Sequence, residues 1–429
     1  MGALARLAIT GLVALVEWAC GGPPNGQSDG GQIDAADGGT DIDGGQDVSD
    51  GGTDLPKREG IEERWAEFVA CNPVDLRFAD QKLYALCEGE YPRLISCSID
   101  QGLEKASCED FVPLPKPVIG NTVFHPKPLV HSDLGNGFSV VSFTTTPRNH
   151  DGFYVIDRAK RQVTNQTLIK SPITIQTGLE PFEVNFNLPA GAILFGGYLL
   201  LATQNKNLET GDYFAGTILQ FKWLGDGTLP EWDPISSYDT TFLTATDRSP
   251  TLFMQAGNEV WFLNNGSASQ NLPSSFDVIV LGQDGKPKIE RTFNHPIGNF
   301  EINPLKTMDL AMEPDPFKRG LLLASGHNLV AAVYDPNGDD FVFPWDAPGV
   351  IVSAQWFSQE VAFVADSESQ VHSVTLVPNQ PLKVNKSLPV FGEPTSAVLD
   401  SSACILYQGL ALERERGAIT AISCQAFTE

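Results

Sequence analysis

Seven times along this chain a short apolar run is followed closely by a second one, and that doubling limits the folds open to it. The first runs are KLYALCEG (82–89), GFSVVSFTT (137–145), GYLLLATQN (197–205), NEVWFLNNG (258–266), RGLLLASGH (319–327), QEVAFVADS (359–367) and ACILYQGL (403–410). Their followers are RLISCSID, GFYVIDR, GTILQFKWLGDG, FDVIVLGQDG, NLVAAVYDPNG, VHSVTLVPNQ and GAITAISC. β-Branched and aromatic residues fill them, and Gly, Asn, Asp and Pro separate them, which is the pattern of strands joined by turns. Several pairs lead into a polar third run, such as KPKIERTFN (286–294) or QPLKVNKSL (380–388). The runs are too apolar for strands with one wet face; both faces must be covered.

Unit starts lie 40 to 61 residues apart. Several strands per unit at that period are the signature of a β-propeller. One four-stranded sheet cannot bury both its faces alone, whereas a ring of sheets buries all of them and abolishes the ends. The expected fold class is therefore all-β, a seven-bladed propeller over 75–429, similar in architecture to the YVTN/WD40-like class. Six or eight blades, or a pair of β-sandwiches, are the alternatives. No Gly-His…Trp-Asp, YWTD or kelch Gly-Gly motif is present. Ahead of the ring, residues 57–74 are expected to form a lead-in with a short helix over 60–70. Ile61, Trp65, Phe68 and Val69 would share one side of that helix.

The N-terminal end is organised differently. Leu7 to Val16 is an apolar core of about ten residues behind Arg6, too short to span a bilayer and right for a signal peptide over 1–19. Ala19-Cys20-Gly21 follows, and residues 21–56 are Gly/Asp-rich with eight aspartates and no Lys or Arg. Such a stretch buries too little apolar area to order itself, and as a coil would span roughly 30–36 Å. A thiol placed after an export signal and before a tether resembles the lipobox of bacterial lipoproteins, surface lipoproteins of the myxobacterial kind among them. That resemblance implies lipidation at Cys20, a disordered linker over 20–56, and an outer-membrane location, since no Asp follows the cysteine. Glu17-Trp18 departs from the usual Leu-Ala/Ser pair. An ordinary secretory signal or a short uncut anchor is the alternative.

Formal net charge is −25; the tether holds −8 of it, Arg6 and Glu17 cancel, and −17 remains on the head. Nucleic acid and anionic lipid are poor partners for that surface. Six further cysteines, 71, 87, 97, 108, 404 and 424, suit disulfides in an oxidising compartment. Cys404–Cys424 flank one hairpin and Cys87–Cys97 another, leaving Cys71–Cys108. The set Cys71–Cys87 with Cys97–Cys108 fits nearly as well. Bridges near both chain ends would stiffen the closing joint of a ring by about 2–4 kcal/mol each.

Candidate chemistry is sparse. His125, His131 and His150 fall in one short region but match no metal-ligand spacing. Asp335, Asn337 and Asp339 take positions 1, 3 and 5 of a calcium-loop pattern, yet Asp340 stands where the loop needs Gly, and a turn at Asn337-Gly338 accounts for the run. No catalytic residue is assigned, and no cofactor beyond a calcium ion at that loop. The expected function is an envelope-anchored binding or scaffold module for a protein or small-molecule ligand. The alternative is a lactonase-like, metal-assisted hydrolase with carboxylates in the propeller channel.

Overall fold

The computed structural model describes residues 63–99, 106–146, 150–177, 180–206, 214–264, 275–294, 306–312, 319–325, 328–334, 347–358, 360–377, 380–412 and 416–427. The expected signal peptide and tether, Cys20 and residues 335–346 lie outside these.

Strand β1 (Glu63–Val69) opens the described chain. The first sheet follows as β2 (Asn72–Ala79), β3 (Lys82–Glu88), β4 (Arg93–Ile99) and β5 (Ala106–Pro113). After a small hairpin of β6 (Val118–Ile119) and β7 (Thr122–Val123), the second comprises β8 (His125–Gly135), β9 (Phe138–Thr146), β10 (Asp151–Asp157) and β11 (Gln162–Ile169). A hairpin of β12 (Ile173–Thr177) and β13 (Glu180–Val184) leads to the third: β14 (Pro189–Phe195), β15 (Tyr198–Thr203), β16 (Ala215–Lys222) and β17 (Thr240–Arg248). The fourth is β18 (Pro250–Ala256), β19 (Glu259–Asn264), β20 (Ser275–Leu281) and β21 (Pro287–Asn294). The fifth shows β22 (Lys306–Met312), β23 (Arg319–Ser325) and β24 (Asn328–Tyr334). The sixth is β25 (Ile351–Trp356), β26 (Val361–Asp366), β27 (Gln370–Thr375) and β28 (Lys383–Pro389). The last sheet is β29 (Glu393–Asp400), β30 (Ile405–Ala411) and β31 (Gly417–Ser423), completed by β1.

Each sheet is an antiparallel meander, and the first strands of successive sheets are neighbours all the way round: β2, β8, β14, β18, β22, β25, β29 and back to β2. The fold is an all-β propeller. Its core lies between the sheets, and the double-faced strands of the sequence have their explanation there. In β9, Val140 packs toward the third sheet while Val141 packs toward the first. In β10, Phe153 and Val155 take one side and Tyr154 and Ile156 the other. β15 divides Leu199 and Leu201 from Leu200 in the same way. Period-two alternation thus feeds two cores at once, each buried side chain contributing about 1.5–3 kcal/mol.

Two expectations are corrected. Within the expected 60–70 helix, residues 63–69 form a strand: β1 pairs antiparallel with β31, Ala66 opposite Thr420 and Phe68 opposite Ala418. β31 is buried along its whole length, so its outer main-chain groups need a partner, and that demand overrides local periodicity. The disulfides are Cys71–Cys87 and Cys97–Cys108, not Cys87–Cys97 and Cys71–Cys108. Register decides this, because Cys97 stands directly opposite Cys108 in the β4–β5 ladder. Cys404 and Cys424 are thiols here, and the Cys424 N–H donates to the Cys404 carbonyl at 3.0 Å.

Candidate binding groove

Strand β11 is the outermost of its sheet. Along it opens a groove of about 1010 Å³, floored by Asn165 to Lys170. One wall comes from Lys116, Val118 and Ile119, between β5 and β7; the other from Leu229 to Trp232, in the β16–β17 connection.

Each wall is fixed from below. Trp232 is buried, edge-on to Phe186 at 5.5 Å and tilted against Phe221 at 5.1 Å, so Pro230 and Glu231 are held up at the rim. The same connection is pinned to β11 where Thr164 Oγ1 donates to the Gly227 carbonyl at 2.9 Å. Gly227 has φ +84°, and a Cβ there would sit 2.5 Å from Thr164 Oγ1 and 2.8 Å from the Phe138 ring. On the opposite side Tyr154 donates its hydroxyl to the Pro115 carbonyl at 2.6 Å, and burial pushes that phenol's pKa up. Lys116 Nζ lies 5.7 Å over the Tyr91 ring. His150 packs edge-on against Phe124 at 4.8 Å.

The groove therefore offers a strand edge, the amides of Asn165 and Gln166, and two ammonium groups, Lys116 and Lys170. Glu231 approaches Lys170 at 3.6 Å, but both are largely exposed, and such a pair is weak. The indole N–H of Trp232 is buried without an acceptor. An outer strand edge in a walled groove is the geometry by which a sheet takes up an extended segment.

The three histidines singled out from sequence do not form a site. His125 is exposed at the start of β8, and His150 lines the groove. His131 is fully buried, with no partner on either ring nitrogen. Burial, reinforced by Arg77 and Arg158, lowers its pKa to about 3. Its main chain is clamped by the first sheet: the N–H donates to Asp75 Oδ2 at 2.9 Å and the carbonyl accepts from Arg77 Nε at 2.9 Å. Among the described residues no three His, Cys, Asp or Glu side chains are grouped to hold a metal, so the hydrolase alternative gains no ligand set. Asp335, Asn337 and Asp339 lie outside the described residues.

Sequence reading missed one constellation. His372 Nδ1 is 2.7 Å from Ser387 Oγ, and its Nε2 is 3.1 Å from Asp366 Oδ2. These are the distances of a Ser–His–Asp relay. Asp366, however, also accepts the main-chain N–H groups of Gly349 (3.1 Å), Glu368 (3.0 Å) and Gln370 (3.2 Å). The carboxylate is the hub of the β26–β27 turn, and the array fastens β26, β27 and β28 together. No motif marks it, because its members come from three strands. Asp277 plays a similar part in the fourth sheet, accepting from Asn264 Nδ2 at 2.9 Å and from the Thr246 N–H at 2.9 Å.

No protein-family model and no curated protein matches this sequence. Among solved structures, the chain is similar to Kuenenia stuttgartiensis hydrazine synthase, with TM-score 0.53 and 11% identity over 82% of this chain and 96% of that one. A chain of the mitotic checkpoint complex gives 0.48 at 10% identity, over 93% of this chain and 99% of that one. The WD40 β-propeller domain of Doa1 gives 0.48 at 10%, over 84% and 96%. At such identities likeness extends to fold alone, and function has to be argued from the site.

Proposed function

We propose that this protein is an exported binding module of the bacterial envelope. Cys20 carries the lipid, residues 21–56 form the spacer, and the propeller presents the β11 groove to a protein or small-molecule ligand at the outer membrane. The groove carries the reading. Strand edge, amide side chains and two lysines are binding groups, and the Ser171 hydroxyl in the lining accepts from the Phe186 N–H at 2.9 Å. On a chain of net charge −25, lysines at both the wall and the floor favour a ligand with carboxylates.

A photo-crosslinking residue at Gln166, exposed on β11, tests the site in the full-length protein in its native cells. A discrete adduct at 166 and none at the exposed Gln255 of the fourth sheet is expected. Equal labelling at both positions, or none at 166, overturns the assignment. A mass spectrum of the native N-terminus tests the anchor separately: acylated Cys20 is expected, and an unmodified Cys20 refutes it.

A further inference from the structure

Cys404 and Cys424 are neighbours at the end of the sheet that closes the ring. Ile405 stands opposite Ser423 at the end of the β30–β31 ladder, and Cys404 and Cys424 flank that last pair. The Cys424 N–H donates to the Cys404 carbonyl at 3.0 Å. That main-chain contact brings the two residues within roughly the 4.4–6.8 Å Cα separation that a disulfide spans.

Their surroundings differ. Cys404 ends the β29–β30 turn, is partly exposed, and has φ +53°. Cys424 is 2% exposed and begins the short 3₁₀ turn Cys424–Phe427. Both belong to the apolar cluster between the sixth and seventh sheets. Both lie at element ends, not in mid-strand, so closing a bond between them asks for local movement only.

We propose that Cys404 and Cys424 form a redox-reactive dithiol whose substrate is an external disulfide. Cys404, the accessible member, attacks one sulfur of the disulfide as thiolate, forms a mixed disulfide and expels one thiolate. Cys424 then attacks Cys404 Sγ, forms the Cys404–Cys424 bond and expels the second thiolate. Two protons leave the protein, which is oxidised by two electrons, and the external disulfide is reduced to two thiols. The other four cysteines stay as Cys71–Cys87 and Cys97–Cys108 and take no part.

The test is peptide mapping of the folded, full-length protein after equilibration with reduced and oxidised glutathione and trapping by alkylation. The 404–424 cross-linked peptide should rise with the oxidised fraction while the other two bridges persist. Cys424→Ser should halt with one glutathione on Cys404. Cys404→Ser should take glutathione at Cys424 at least about tenfold more slowly, as burial requires. Full alkylation of both thiols at every glutathione ratio would overturn the proposal. So would a 404–424 bond that glutathione opens only in denaturant.

Discussion

Arg158 reaches out of the second sheet and grips Asp80 in the β2–β3 turn of the first, its Nε 3.0 Å and its Nη2 2.7 Å from the same carboxylate oxygen. Its Nη1 meets Asp133 Oδ1 at 2.6 Å, Ser139 Oγ at 2.7 Å and the Phe138 carbonyl at 2.8 Å, and the guanidinium lies 5.6 Å over the Tyr84 ring. The arginine side chain is 3% exposed. One planar fork thus joins two sheets that Asp75 and Arg77 also tie together at the His131 main chain. Arg158→Met should lower the unfolding free energy by about 2–4 kcal/mol, since the removed cation leaves Asp133 and the Phe138 carbonyl underpaired. Arg158→Lys should fall between, because an ammonium cannot reproduce the fork. Urea unfolding decides; a change under about 0.5 kcal/mol for Arg158→Met would show the clamp to be idle.

His131 makes stability depend on pH. In the native state its pKa lies at about 3, from burial first and the two arginines second; unfolded, it titrates near 6.5. Between those values the unfolded chain holds more protons, so acidification favours unfolding by about 1.4 kcal/mol per pH unit from this group. His131→Leu should remove that slope and also the two orphaned ring nitrogens. Its unfolding free energy should be at least the parent's at pH 7.5 and exceed it by a wider margin at pH 5. A variant with the parent's pH profile would sink the assignment.

Asp366 and Ser387 should separate structure from catalysis. Asp366→Ala strips acceptors from three main-chain N–H groups and His372, and should cost about 3 kcal/mol. Ser387→Ala removes one half-exposed hydrogen bond and should cost under about 1 kcal/mol. A fluorophosphonate should leave Ser387 unmodified in the native protein; stoichiometric labelling there would convert the turn hub into an active site.

Gly227 governs a groove wall. An alanine there combines a left-handed φ with two contacts under 3 Å, so Gly227→Ala should destabilise by roughly 2 kcal/mol. The 225–232 segment would then lift from β11. Faster hydrogen exchange at Leu229 and Trp232, with the first sheet unaffected, is the expected signature; unchanged exchange would mean the wall is held by Trp232 alone.

Local pattern carried the fold class because the physics of a double-faced strand is local. Adjacent residues such as Val140 and Val141 must both be apolar when they enter different cores, and seven such units announce themselves in one dimension. Strand β1 was illegible for the opposite reason. Its residues satisfy a helical spacing, and only the buried edge of β31, some 350 residues later, makes them extended. Disulfide partners were likewise narrowed by proximity along the chain and chosen by register, which places Cys97 against Cys108. The groove, the Arg158 clamp and the Asp366 hub each draw on two or more strands or connections that share no motif. Apolar periodicity and turn residues determined that sheets would form and stack. Packing of sheet on sheet and closure of the ring decided which edges and charges came to face one another.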